Sequence, residues 1–359
     1  MNIPGQPTAR TFDSAQAVQL GLFVEMAYDM YGRYPNNPTP PPPAPFMPDY
    51  KFVGWVQMRD FVFEDGSWMF YGLLAQHTSK ANEFVLAIRG TDNLTEWFDD
   101  LTSLALVPLT GWGEVGYGFN RIYQTLRIVD YAAPTALAAT APTALAATAA
   151  PARRGTFAQQ VAATAKNHAA LARSPELAAI EPVAAPMSIE VTGHSLGSAL
   201  ATLYVAENAN SSDVITPLLC TFASPRVGDS AFAATFDRLG IASWRIVNEL
   251  DLVPKLPFIG FTHVATEYLY TSGDLVDWSL TCWHELATYL NLLDPTQPIS
   301  PQCRWTQQSP AAAKSLRVAA KLAPPVVTPV ATVEKEISIP WPSGRAGTIN
   351  ITIKVEGTD

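Results

Sequence analysis

The chain has 359 residues, 48% apolar and 15% charged, a balance that supports a sizeable buried core and excludes intrinsic disorder. Its net charge is −9, and no Lys/Arg cluster is long enough to track a phosphate backbone, so no nucleic-acid partner is expected and anionic headgroups gain little attraction. No apolar run approaches the roughly 18 residues of a membrane-crossing helix, so no transmembrane segment is expected.

The first thirty residues lack a basic stretch followed by an apolar one, so no signal peptide is read. Localisation therefore stays open between the cytoplasm and secretion with the signal absent. Asp13 and Ser14 cap an apolar stripe of Ala15, Val18, Leu22, Phe23 and Met26, which predicts a helix. Residues 35–48 form a proline-dense surface loop. Three closely spaced runs, Lys51–Met58, Ser67–Gln76 and Glu83–Arg89, predict an antiparallel start to a sheet. Phe119–Tyr131 reads as a helix, as does Phe157–Arg173.

Between those helices an Ala-Pro-Thr-Ala-Leu-Ala-Ala-Thr octapeptide occurs twice, at 133–140 and 141–148, a low-complexity insertion near 132–155. The order that follows is strand Ser188–Thr192, helix Leu196–Ala209, strand Leu218–Ala223, helix Asp229–Leu239 and strand Ser243–Val247. Such alternation specifies a parallel α/β sheet. After Pro310 an Ala/Lys segment and a Pro/Val linker lead to alternating runs at Glu334–Ile339 and Thr348–Val355, a β-hairpin around Ser343-Gly344. The expected organisation is one domain over 1–309 and an extension over 310–359. Cys220, Cys282 and Cys303 are expected as three buried reduced thiols, with a Cys282–Cys303 bridge as the alternative that would imply an oxidising compartment.

The chemistry centres on Gly193-His194-Ser195-Leu196-Gly197. A serine hydroxyl attacks only when a base takes its proton and its oxygen is presented. A strand–turn–helix elbow presents it, with small residues two before and two after. The pattern alone is weak, since roughly one chain in ten of this length carries it by chance at ordinary glycine and serine frequencies. Here the strand precedes it and a run of strong helix formers follows, so Ser195 is the expected nucleophile. His194, adjacent in the turn, points away and packs beneath it.

In this arrangement an acid and then a histidine follow the nucleophile. Asp251 lies just past the end of a buried strand, where α/β enzymes place reactive groups. Its rivals are weaker: Asp229 caps a helix, Asp213 sits in a surface turn and Glu249 faces solvent. His284 is preferred over His263 as the base, because His263 begins a strand-like run. A zinc reading of His284-Glu285 fails, since Thr288 stands where histidine is required, and no metal or cofactor is expected. The oxyanion donors are expected to be Leu196, at the helix start, and Thr91, in the loop Arg89-Gly90-Thr91 after an early buried strand.

Taken together, these residues resemble the class 3 (fungal-type) lipases, a branch of the α/β-hydrolases. The resemblance rests on Arg89-Gly90-Thr91 with Trp97 and Asp100-Leu101, Gly118-Phe119, Gly193–Gly197, Pro225-Arg226-Val227-Gly228, Asn248 with Asp251–Pro254, and His284. It implies a mostly parallel central sheet flanked by helices, a Ser195–His284–Asp251 triad, and a lid from about Asp92 to Leu101 that includes Leu94, Trp97 and Phe98. Trp97, Trp112, Val227, Val253 and Phe258 are candidate substrate contacts. Ser198 departs from the family, which usually has a second glycine there.

The expected activity is carboxylic-ester hydrolysis, with a triacylglycerol lipase at an oil–water interface as the leading reading. A short-chain or feruloyl-type esterase and a non-catalytic lipase-like binding protein are the alternatives. Oligomeric state is not legible.

Overall fold

The computed structural model describes residues 10–59, 67–91, 105–131, 155–172 and 186–305, and the backbone of 331–340 and 346–355. Its centre is a mixed, mostly parallel sheet. The strands are β1 (Tyr50–Arg59), β2 (Trp68–His77), β3 (Glu83–Ile88), β6 (Arg127–Asp130), β7 (Met187–His194), β8 (Val214–Ile215), β9 (Leu218–Phe222), β10 (Ala242–Asn248) and β11 (Thr266–Tyr270). They run in the order β11-β10-β9-β7-β3-β2-β1-β6, with β8 beside β7. β1, β2 and β3 form the antiparallel start, and from β3 through β7, β9, β10 and β11 the pairing is parallel.

The alternation of strand side chains divides the core into two layers. Phe84, Leu86 and Ile88 of β3 join one cluster, Val85 and Ala87 the other. The first layer is covered by α2 (Tyr117–Tyr123), α3 (Phe157–Ala172), α4 (Leu196–Asn208) and α5 (Ser230–Asp237). The second is covered by α1 (Ser14–Arg33) and α7 (Leu286–Leu293). α1 starts where Asp13 accepts hydrogen bonds from the N–H groups of Ala15 and Gln16, at 2.9 and 3.3 Å. In α5 Asp229 does the same for Phe232 at 2.7 Å.

Two expectations are corrected. The run Phe119–Tyr131 is not one helix. α2 ends at Tyr123 and Arg127–Asp130 becomes β6, antiparallel to Gly54–Gln57 of β1. The open edge of β1 offers backbone partners, Ile128 is buried in the first layer, and β-branched Ile128-Val129 suits a strand. The thiols are not all reduced: Cys282 and Cys303 are bridged with a Cα separation of 5.3 Å, and Cys220 alone is free and buried. The second cysteine is brought alongside by the Val276–Arg304 bridge and by the Asp277 N–H donating to the Cys303 carbonyl.

A small ribbon, β4 (Leu106–Leu109) with β5 (Gly113–Gly116), was not foreseen. The proline loop is pinned to β1, since Trp55 Nε1 and Gln57 Nε2 donate to the carbonyls of Pro40 and Pro38, both at 2.7 Å. β12 (Ala331–Pro340) and β13 (Ala346–Val355) pair as the antiparallel hairpin expected near the end of the chain. The duplicated octapeptide, the Ala/Lys segment, the Ser343-Gly344 turn and the expected lid with Leu94, Trp97 and Phe98 lie outside the described residues.

Candidate active site

Parallel strands deliver their carboxyl ends to one edge of the sheet, and β3, β7 and β10 lead there to Thr91, Ser195 and Asp251. Ser195 takes φ 57° and ψ −127° between β7 and α4, a conformation that strains a residue with a side chain. The two flanking glycines make it feasible. A Cβ on Gly193 would overlap the Gly197 carbonyl, and one on Gly197 would overlap the carbonyls of Ile88 and Arg89. The Ser195 N–H donates to Phe222 O at 2.9 Å, which ties the turn to the end of β9.

Ser198 strengthens the same turn. Its hydroxyl lies 2.7 Å from the Gly193 carbonyl and 2.8 Å from that of Phe222, and donates to one at a time. A glycine there would leave both without this partner.

Asp251 and His284 meet although they are 33 residues apart. His284 Nδ1 and Asp251 Oδ2 are 2.7 Å apart, with both side chains buried. The other carboxylate oxygen, Oδ1, accepts the Val253 N–H at 2.9 Å. Tyr289 Oη, on α7, donates to the same Oδ2 at 2.7 Å. A buried carboxylate needs such donors, since an unpaired charge there is costly.

The histidine side is fixed by its own short helix, α6 (Leu280–His284), capped by the Ser279 hydroxyl accepting from the Cys282 N–H at 3.1 Å. Asn248 binds this segment, donating from Nδ2 to the Trp283 carbonyl at 2.9 Å and to Ser272 Oγ at 3.1 Å. Thr288 Oγ1 closes the turn onto the Cys282 carbonyl at 2.7 Å.

Ser195 Oγ and His284 Nε2 are both buried, and among the described residues neither has a hydrogen-bond partner. These are the two atoms between which a proton must pass for serine to attack. Such contacts are commonly open in an unliganded site and close around substrate.

Leu196 is the first residue of α4, so its N–H has no intrahelical acceptor. Gly90 lies against the nucleophile: a Cβ there would approach Ser195 Cβ and the His194 carbonyl oxygen, each at 2.9 Å. Thr91 follows directly.

Of the candidate substrate contacts, Val227 and Val253 are buried in the first core layer with Leu196. Trp112 is half-buried with its ring 5.7 Å from Phe232, Phe258 is half-buried, and Trp97 lies outside the described residues. The rival histidine is engaged elsewhere. His263 Nε2 lies 2.6 Å from the Pro254 carbonyl, and burial together with Arg245 and Arg226 pushes its pKa down to about 3. Glu249 is partly buried.

Sequence reasoning missed Tyr28 and Tyr289, which carry no local signature. A tyrosine on the inward stripe of a helix reads as core until its hydroxyl partner is known. It also gave His194 only a packing role, whereas both its ring nitrogens are hydrogen-bonded. Among the described residues no group of three His, Cys, Asp or Glu side chains could hold a metal ion, and no helix is long and apolar enough to cross a membrane.

Residues 85–261 match the family Lipase (class 3). Phospholipase A1-II 4 of Oryza sativa subsp. japonica is 40% identical over 111 residues, 27% of this chain and 28% of the relative. Phospholipase A1-II 3 of Oryza sativa subsp. indica is 30% identical over 261 residues, 65% of this chain and 54% of the relative. A lipase of Rhizomucor miehei is 46% identical over 92 residues, 24% of this chain and 25% of the relative. The chain thus spans under a third of the length of the first curated relatives it matches. Residues 85–261, which carry the Gly90-Thr91 loop, the Ser195 elbow and Asp251, are thus similar to the class 3 lipase family.

Proposed function

We propose that the protein is a serine hydrolase of lipid carboxylic esters, built on an α/β-hydrolase scaffold, with Ser195 as nucleophile, His284 as general base and Asp251 as its orienting acid. The observation that carries this reading is the 2.7 Å His284–Asp251 contact beside a strained, buried serine. Asp251 holds Nδ1 of the imidazole and so directs Nε2 toward the Ser195 proton. Attack on the ester carbonyl gives a tetrahedral oxyanion, for which the N–H groups of Leu196 and Thr91 are the proposed donors. His284 then returns its proton to the leaving alcohol, and water, activated by the same base, releases the acid. None of these steps calls on a metal or cofactor.

The substrate is an acyl ester of glycerol met at a lipid surface. Two named relatives are phospholipases A1 and one is a lipase, which favours acylglycerol and glycerophospholipid esters over small aromatic ones. Nitrophenyl esters from C2 to C16, with and without emulsion, together with dioleoyl phosphatidylcholine vesicles, test this. Long-chain turnover that rises at the interface is expected, and turnover confined to short soluble esters would replace it with the esterase reading. Absence of all turnover, or turnover unchanged in Ser195→Ala, would remove the catalytic reading.

A further inference from the structure

Tyr28 belongs to α1, far along the chain from every residue given a role above, yet its hydroxyl sits within the site. The Gly90 N–H donates to Tyr28 Oη at 2.7 Å. Tyr28 Oη lies 2.8 Å from His194 Nδ1, and His194 Nε2 lies 2.8 Å from the backbone carbonyl of His284.

The proton positions follow from what each atom is able to do. A carbonyl only accepts, so His194 Nε2 carries hydrogen. Burial and the neighbouring His284 ring hold the His194 pKa well below its ordinary value, so the ring is neutral and Nδ1 accepts. Tyr28 therefore donates to Nδ1, and its remaining lone pair receives the Gly90 N–H. The chain reads Gly90 N–H to Tyr28 O–H to His194 Nδ1, then Nε2–H to His284 C=O. Each of its three donors has an acceptor, in a direction that cannot be reversed without protonating His194.

Its ends are the two parts that must hold still during acyl transfer. One is the loop that presents Thr91, the other the peptide that carries His284. The middle is the elbow residue itself. Gly90 has no side chain and crowds Ser195; its carbonyl accepts from Arg89 Nη1 at 2.7 Å, and the Tyr28 hydroxyl is the partner that fixes its N–H.

We propose that Tyr28 and His194 are positioning residues that set the oxyanion-side loop and the His284 backbone in register with Ser195. The proposal rests on the hydrolase reading above. It predicts that loss of the Tyr28 hydroxyl harms stabilisation of the transition state more than binding of the ester. Removing a whole oxyanion donor costs about 10²–10³ in rate, and misorienting one is expected to cost about 10-fold.

The test is Tyr28→Phe in the full chain, assayed on p-nitrophenyl butyrate, with serine sites counted by a phosphonate titrant. The expected result is kcat per titrated site lower by about 10-fold with KM changed by less than about 3-fold. The affinity of a trifluoromethyl ketone, which forms the tetrahedral adduct, should fall in step with kcat/KM. A purely structural role would instead reduce the number of titratable sites and leave kcat per site within about twofold, which would overturn the proposal.

His194→Gln breaks the chain at its centre and serves if Tyr28→Phe does not fold. The double variant should lose no more than the worse single one, whereas independent losses that multiply would refute the link. Inactivity of the wild-type chain would count against the hydrolase reading, while an active wild type with an unimpaired Tyr28→Phe counts only against this inference.

Discussion

Tyr289 Oη lies 2.7 Å from Oδ2 of Asp251, the same oxygen that holds the His284 ring. Two donors on one oxygen fix the carboxylate more firmly than the histidine would alone. Burial and the adjacent Asp251 push the Tyr289 pKa well up, so the phenol keeps its proton and stays a donor. Tyr289→Phe is expected to lower kcat by about 3- to 10-fold and to lower stability by about 1.5–3 kcal/mol, the usual range for a hydrogen bond to a charged group. Steady-state kinetics and urea denaturation of the purified variant check this, and an unchanged kcat would leave the phenol a packing role only.

The Cys282–Cys303 bridge spans 21 residues and anchors the helix that ends at His284. Closing a loop of that size stabilises by about 3 kcal/mol through the unfolded state. The Cys282→Ser/Cys303→Ser variant should unfold at correspondingly lower denaturant and lose activity at temperatures where the wild type retains it. Equal midpoints for the two proteins would show that the surrounding hydrogen bonds suffice.

Gly197 packs against the end of β3, where a methyl group has no space beside the Ile88 and Arg89 carbonyls. Gly197→Ala must move backbone rather than a flexible side chain, and a cost of more than about 2 kcal/mol is expected. Soluble yield and melting temperature measure it. A variant of native stability would mean that the elbow accommodates a wider helix–strand spacing than its geometry indicates.

Acid should destabilise the fold through its buried neutral histidines. His263 has its pKa lowered to about 3 by burial and by two arginines, against about 6.5 in the unfolded chain. Between those values the unfolded state binds the proton and the folded state does not, so stability is present above about pH 6.5 and is lost as the pH falls toward 3. His194 acts in the same direction. Melting temperature should therefore fall through this window, and less steeply in His263→Gln once each protein is referred to its own value at pH 7. Parallel slopes would assign the acid sensitivity to other groups.

The local arithmetic of the chain made much of this legible. Alternation of strands and helices specified the parallel half of the sheet, and Gly193–Gly197 with its flanking strand located the elbow. The pairing of Asp251 with His284 was a choice among rivals that differ in position along the strands, and the structure brings those two side chains together. What escaped was everything supplied by distant segments. β6 owes its strand conformation to the open edge of β1, and Tyr28 and Tyr289 look like ordinary inward-facing helix residues until the sheet places their hydroxyls. The bridge between Cys282 and Cys303 depends on Cα proximity, which spacing alone does not give.

Tyr28, Gly90, Ser195, Asp251, His284 and Cys303 lie in that order along the polypeptide, and the site draws on nearly its whole described core. A nascent chain leaving the ribosome holds the serine long before it holds the base, and the base precedes its covalent anchor. A copy that stops short of residue 284 therefore lacks the proposed base, and the proposed triad is complete only once α6 has been made.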